Sequence, residues 1–329
     1  MLRSGTTSFF DILEAPNALG GILMRQKEIV EERGLRGRLS FEATERSGPD
    51  IAKRALAENM ELISSCPREV NEPTRVPLIG GIMSWHTTFT CSPDYISEAF
   101  GLAQDHGVMS HAHCNEGVHE GQWAEESHGL RTVELYDKLG IAGPDLIASQ
   151  CVQLSDRERE LLAERDVRIS HMPLANCEVG GGIAPIPELA DAGATVGLGS
   201  DGYINDFYEV MRGAFLLHKG RLQDPGVMSA ERVFHMATEG GARALGFERV
   251  GRLEKGWAAD VQVVDATFPT PINAGNLLEQ LVLWRNASHV RDVLVAGRWR
   301  VRNGELLDAD LEQMKAKTRE QAQRLWNQA

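Results

Sequence analysis

The chain has 329 residues, of which 42% are hydrophobic, and a formal net charge of −13. That length exceeds a usual single domain but suits one α/β barrel with an appendage, and the acidic balance argues against non-specific nucleic-acid binding, which needs a basic surface. No apolar run approaches the ~18–20 residues that cross a bilayer, no charged-then-apolar leader opens the sequence, and the five cysteines are scattered, so reduced thiols in a cytoplasmic protein with no membrane partner are expected.

From Met1 to about Gly202, short apolar runs alternate with longer amphipathic ones, the pattern of β/α repetition around a buried parallel sheet. Strands are expected at Thr6–Ile12, Arg36–Phe41, Leu78–Met83, Val108–His113, Leu146–Val152, Val167–Ser170 and Ala194–Gly199, with helices between them such as Ser92–His106, which carries Pro93 near its start. These are seven strands where a closed barrel needs eight. The shortfall lies at the front, where Leu2–Thr7 already reads as a helix end running into a strand, and the unpaired sheet edges this leaves invite association with a second copy of the chain. Asp156, Glu158, Glu160 and Glu164 alternate with Arg157, Arg159 and Arg165, as on a solvated helix face. Ser229–Leu245 reads as one helix, with Ser229 as N-cap and Gly246 as the stop. The texture then changes to short strands at Val250–Leu253, Ala259–Val264, Val290–Ala296 and Arg298–Arg302, and Leu307–Asn327 closes as an amphipathic, charged helix. The expected organisation is a barrel over 1–247, a small β domain over 248–304 and a terminal helical segment over 305–329.

His111 and His113 are two apart in a strand, so both imidazoles enter the same interior, at the C-terminal end where barrel enzymes assemble their sites. Glu116 follows as strand becomes loop. An imidazole that holds an ion beside a free carboxylate that shuttles protons suits metal-assisted hydrolysis; two barrel-filling histidines with a surface glutamate suit the same pattern. Asp201 in Gly199-Ser200-Asp201-Gly202 sits at another strand tip, where an Asx-turn is the alternative. His86 and His171 each follow a further strand. Phe89, Trp85, Trp123 and Tyr203 suit stacking on a planar ring or plain packing equally.

Taken in order, Gly5-Thr6-Thr7, the His86 segment, His113-x-x-Glu116, Ser170-His171-Met172-Pro173 with Asn176, Gly181-Gly182-Ile183-Ala184-Pro185 and Gly199-Ser200-Asp201-Gly202 resemble the cytosine deaminase, guanine deaminase and triazine hydrolase branch of the amidohydrolase superfamily. Met236-Ala237-Thr238 and Gly251-x-Leu253-Glu254-x-Gly256-x-Ala258-x-Asp260 resemble its passage into a β-sandwich. The resemblance implies a distorted (β/α)8 barrel, here lacking its first strand, with a small β-sandwich remnant. It implies one divalent metal, zinc or iron, and hydrolytic attack on a ring carbon of a small heterocyclic substrate. By the same analogy His113 and Asp201 are metal ligands, Asp201 also takes a proton from the attacking water, and Glu116 protonates the ring nitrogen. His86, Gln150 and His171 face the substrate, with His111 as an auxiliary neighbour.

Two departures qualify the implied activity. The family's first-strand His-x-His would precede Met1, as in a truncated reading frame or a short form whose first strand is lost or supplied by another chain. Gln150 in Ala148-Ser149-Gln150-Cys151-Val152 stands where the family has histidine, and an amide can hydrogen-bond water but cannot become a cation near neutral pH. Deamination of a purine, pterin, pyrimidine or triazine is therefore the leading expectation. Hydrolysis of another C–X bond, such as dechlorination, and an inactive homologue serving as a binding protein are the alternatives.

Overall fold

The computed structural model describes residues 1–66, 76–307 and 309–327. Its strands are β1 (Ser8–Leu13), β2 (Arg36–Ala43), β3 (Ile79–Gly81), β4 (Met83–Trp85), β5 (Ser110–Cys114), β6 (Leu146–Gln150), β7 (Arg168–His171) and β8 (Val196–Leu198), followed by β9 (Val261–Val264), β10 (Val290–Val295), β11 (Arg298–Arg302) and β12 (Glu305–Leu306). The first eight form one parallel sheet in the order β1-β2-β4-β5-β6-β7-β8, with β3 also on β2. β3 and β4 are one strand path broken at Ile82, whose N–H donates to the Leu39 carbonyl at 3.1 Å. The seven expected strand positions are thus the seven observed, the third in two pieces. With its helices outside, the sheet is a curled, distorted TIM-type barrel whose free edges among the described residues are β1 and β8.

The helix expected over Ser92–His106 spans Pro93–His106, because the Ser92 side chain accepts the Tyr95 N–H and Gly107 takes the left-handed C-cap conformation. The single helix expected over Ser229–Leu245 is instead two, Ala230–Ala237 and Glu239–Ala244. Thr238 breaks it: its backbone leaves helical space at φ −125°, ψ −98°, and its hydroxyl donates to the Phe234 carbonyl at 2.8 Å. Val250–Leu253 is not a strand. Gly251 has φ +95° there, and a Cβ on it would lie 2.8 Å from the Glu239 backbone, so the chain turns tightly under the helix instead of pairing.

β9 to β12 form a separate antiparallel sheet in the order β12-β11-β10-β9. It is tied to the barrel by Arg36, whose Nε donates to Asp260 Oδ2 at 2.6 Å and whose Nη2 donates to Oδ1 at 3.1 Å, with both side chains buried. Asp260 also accepts the Ala296 N–H at 2.7 Å, so either partner removed alone leaves an unpaired buried charge, a loss of about 3–5 kcal/mol. The closing helix runs Leu311–Trp326, later than expected because Asp310 caps it by accepting the Gln313 N–H at 2.9 Å. None of its residues is buried, and Asp308 within the expected span lies outside the described residues. Among the described residues no helix is long and apolar enough to cross a membrane.

Candidate active site

Strand alternation builds the barrel interior in layers. Ser40 on β2, Ser84 on β4, His111 on β5 and Ser149 on β6 form the lower one. Ser84 Oγ donates to Ser40 Oγ at 2.6 Å, and His111 Nε2 lies 3.0 Å from Ser149 Oγ. Two residues further on in three of these strand paths come Glu42, His86 and His113. Their ligand atoms all lie within 4.8 Å of one another, with His113 Nδ1 3.8 Å from Glu42 Oε2. His113 Nδ1 is buried without a hydrogen-bond partner, whereas His86 Nδ1 is 2.8 Å from Thr90 Oγ1.

Burial governs the protonation of this group. It pushes His86 down to about 3, helped by His113 and Arg46, and lowers His113 despite the opposing pull of Asp201 and Glu14. Both imidazoles are held neutral, the form that coordinates a metal. Burial, with Glu14 and Asp201 adding repulsion, raises Glu42 to about 7 even though Arg46 Nη2 lies 3.1 Å away. Glu116 is raised by burial and then by Asp201. A carboxyl kept protonated toward neutral pH is what a general acid needs.

The structure brings five of the seven expected residues together. Asp201 lies in the turn after β8 at φ +53°, and its charge acts on Glu42, His113 and Glu116. Gln150 donates from Nε2 to Asp201 Oδ2 at 3.1 Å, while its Oε1 is buried without a partner. His86, His113 and Glu116 complete the group. His111 lies one layer below, edge-on to His113 with ring centroids 5.3 Å apart. His171 is placed differently: its Nε2 is 3.0 Å from Nε2 of His218, on the outer helix Phe207–Leu222.

Strain marks the same rim. Asn115, Gln150, Cys151 and Asp201, at or after the ends of β5, β6 and β8, all have left-handed φ between +49° and +72°. The Gly181 segment closes over it. A Cβ on Gly181 would meet the Glu116 carbonyl at 2.8 Å, so only glycine lets that backbone pass. Beside the group, a cleft of about 440 Å³ is lined by Arg46, Phe89, Trp123 and His128, among others. Phe89 stands edge-on to His86 at 5.7 Å, whereas Trp85 is fully buried and donates to Tyr136 Oη at 3.1 Å, which makes it packing.

Sequence reasoning missed Glu42. The signal was there, since Ser40-x-Glu42 puts polar residues at period two in a strand buried on both faces, where a parallel sheet is normally continuously apolar. It also misread Glu158. That residue is fully buried, accepting from Arg131 Nε at 2.7 Å and Asn115 Nδ2 at 2.7 Å, while Asp156, Glu160 and Glu164 are exposed as expected.

The amidohydrolase family pattern matches residues 1–300. The chain belongs to the amidohydrolase family. It is 34% identical over 310 residues to the 5'-deoxyadenosine deaminase of Methanothermobacter thermautotrophicus, covering 93% of this chain and 70% of that one. It is equally 34% identical over 304 residues to the 5-methylthioadenosine/S-adenosylhomocysteine deaminase of Thermococcus onnurineus, covering 91% and 68%. Among solved structures, a zinc-bound adenosine deaminase from Xanthomonas campestris superposes with TM-score 0.89 at 26% identity, over 99% of this chain and 73% of that one. A zinc complex of the Arthrobacter aurescens atrazine chlorohydrolase shares the fold at TM-score 0.87 and 22% identity, over 97% and 73%. This amidohydrolase is a metal-dependent hydrolase acting on a C–N bond of a nitrogen heterocycle. The donors gathered here fit a divalent ion: the neutral imidazoles of His86 and His113, the buried Glu42 carboxylate and a His113 Nδ1 without a hydrogen-bond partner.

Proposed function

We propose that this amidohydrolase deaminates an adenine nucleoside carrying a 5' substituent or lacking the 5' hydroxyl, converting the exocyclic amine to a carbonyl with release of ammonia. The observation that carries this reading is that His113 and Glu116 both lie within the reach of the Asp201 charge, in a chain 34% identical to deaminases of such nucleosides.

His113 and Asp201 would hold the metal, with Glu42 and His86 within reach of the same ion. Zinc is the ion assigned, from the nitrogen and oxygen donors and the zinc-bound relative. When bound, it supplies Lewis acidity and brings the pKa of water to about 7. The chain's own groups do the rest. Asp201 accepts a proton from the attacking water, and Gln150 holds that carboxylate by its 3.1 Å hydrogen bond. Glu116, whose pKa is raised by burial and by the Asp201 charge, donates to the ring nitrogen and then assists departure of ammonia. The aromatic-lined cleft beside His86 gives the remainder of the nucleoside a place to lie.

The deciding measurement is zinc content together with ammonia release from 5'-deoxyadenosine, 5'-methylthioadenosine, guanine and a chlorotriazine. The two adenine nucleosides should be turned over in preference. A zinc-loaded chain that acts on the triazine and on neither nucleoside would overturn the assignment.

A further inference from the structure

Two loops carry most of the working groups: the one after β4, with His86, and the one after β5, with Glu116 just beyond His113. Neither is regular structure, yet both must be held to within fractions of an ångström for their side chains to share an ion. The Glu120 side chain connects them. Glu120, buried on the helix Val118–His128, accepts the Asn115 N–H at 2.5 Å with Oε2. With Oε1 the same carboxylate accepts the Thr88 hydroxyl at 3.3 Å. The Thr88 hydroxyl lies in turn 3.4 Å from that of Thr132.

Thr88 is two residues past His86. Asn115 lies between His113 and Glu116, and the rest of it is equally committed: its Nδ2 donates to Glu158 Oε1 at 2.7 Å, and its carbonyl accepts the N–H groups of Val152 and Gln153 at 3.1 and 2.8 Å. Asn115 sits at φ +49°, a conformation the surrounding bonds must hold in place. Among the described residues Glu120 makes no ion pair. Burying a carboxylate without a cation is costly, and a helix packed here for stability alone would be served by an apolar residue.

We infer that Glu120 is a positioning residue: its carboxylate bridges the Thr88 hydroxyl and the Asn115 backbone N–H and so sets the spacing between His86 on one loop and His113 with Glu116 on the other. The inference rests on the proposed reaction only for naming those three as the working groups.

The test compares E120A and E120Q in the full chain by the NMR resonances of the histidine rings and by calorimetric titration with zinc. E120A should move the ring signals of His86 and His113, leave those of the distant His171 and His218 in place, and weaken zinc binding by roughly 10–100-fold. E120Q keeps an amide oxygen for the Asn115 N–H and should stay within a few-fold of wild type. Turnover of a substrate should show the loss in kcat with KM little changed. A folded E120A whose His86 and His113 signals do not move, or in which all four rings move together, overturns the inference. If E120A does not fold, T88V replaces it: loss of that hydroxyl should displace the His86 signals more than those of His113, and equal or absent displacement overturns the inference. A wild-type chain that deaminates no purine sinks the proposed reaction alone, because the ring signals and the zinc titration still report on the bridge.

Discussion

Two histidine pairs flank the barrel wall, His86 with His113 half-buried past β4 and on β5, and His171 with His218 fully buried between β7 and the helix Phe207–Leu222. His86 and His113 have ring centroids 5.3 Å apart; His171 and His218 are 5.0 Å apart. Burial drives all four pKa values down, His86 to about 3 and His218 to about 4. The neighbours separate them. At the first pair the Glu42 carboxylate lies within 4.8 Å of both ligand nitrogens and the Asp201 and Glu14 charges favour a cation on His113, with the Arg46 charge opposing. The second pair is bonded ring to ring at 3.0 Å, and the charge acting on both its members is the Arg221 guanidinium, which repels a cation. Two paired imidazoles are therefore suited to a cation or to a hydrogen bond with each other according to the sign of the charge beside them.

The largest expected effect breaks this contrast directly. His113→Asn should leave the chain without stoichiometric zinc after dialysis and abolish deamination. His171→Asn should retain zinc and activity while lowering the melting temperature, since it disrupts a buried pair. Elemental analysis and a thermal melt on the two variants check both halves, and loss of zinc from His171→Asn would erase the distinction drawn above.

Next comes Glu116→Gln, which should lower kcat by roughly 10²–10⁴-fold with zinc retained. The pH dependence has a definite sign. The acid must be protonated to donate, and burial together with the Asp201 charge raises its pKa, so activity should fall as pH rises through a value above the ordinary glutamate range. That limb should be missing from the residual activity of the glutamine variant. A limb that persists in it belongs to another group.

The strand frame was legible in the sequence, whereas the contrast between the pairs was not, since His86 and His171 were both expected to face the substrate. Strand positions followed from apolar runs and turn residues, and His113, Glu116 and Asp201 from their order along the chain. Side-chain direction did not follow. His171 stands at a strand end like His113, but alternation along a four-residue strand is a weak guide to which face a terminal residue takes, and the partner that settles it, His218, is 47 residues away. Glu158 was hidden for a related reason. Its charged neighbours are exposed, and only the fold brings Arg131 and Asn115 onto its buried carboxylate. Glu42 was within reach, because a carboxylate two residues past a serine in a doubly buried strand contradicts that strand's environment.

Glu42→Gln sharpens the comparison from the carboxylate side. It replaces a carboxylate within reach of the proposed ion by a neutral amide, but leaves Asp201 and both imidazoles. Zinc affinity should fall by about tenfold, less than for His113→Asn, as measured by competition with a chelator. An unchanged affinity would assign Glu42 to the substrate side of the cleft.

The smallest effect is expected at Gln150, which touches the site only through Asp201. Its 3.1 Å bond to Oδ2 restrains a carboxylate that is itself exposed and held at φ +53°. A hydrogen bond of that kind is worth about 0.5–1.5 kcal/mol, so Gln150→Ala should cost at most about tenfold in kcat/KM and leave the zinc content unchanged. Gln150→His distinguishes restraint from proton transfer. A histidine can keep a donor toward Asp201 and in addition titrate, so a new pH-dependent limb in its rate profile would mean that this position can take part in moving the water's proton. A flat profile at wild-type rate would mean that the amide serves only to hold Asp201, and that the contrast between the two histidine pairs rests on carboxylates alone.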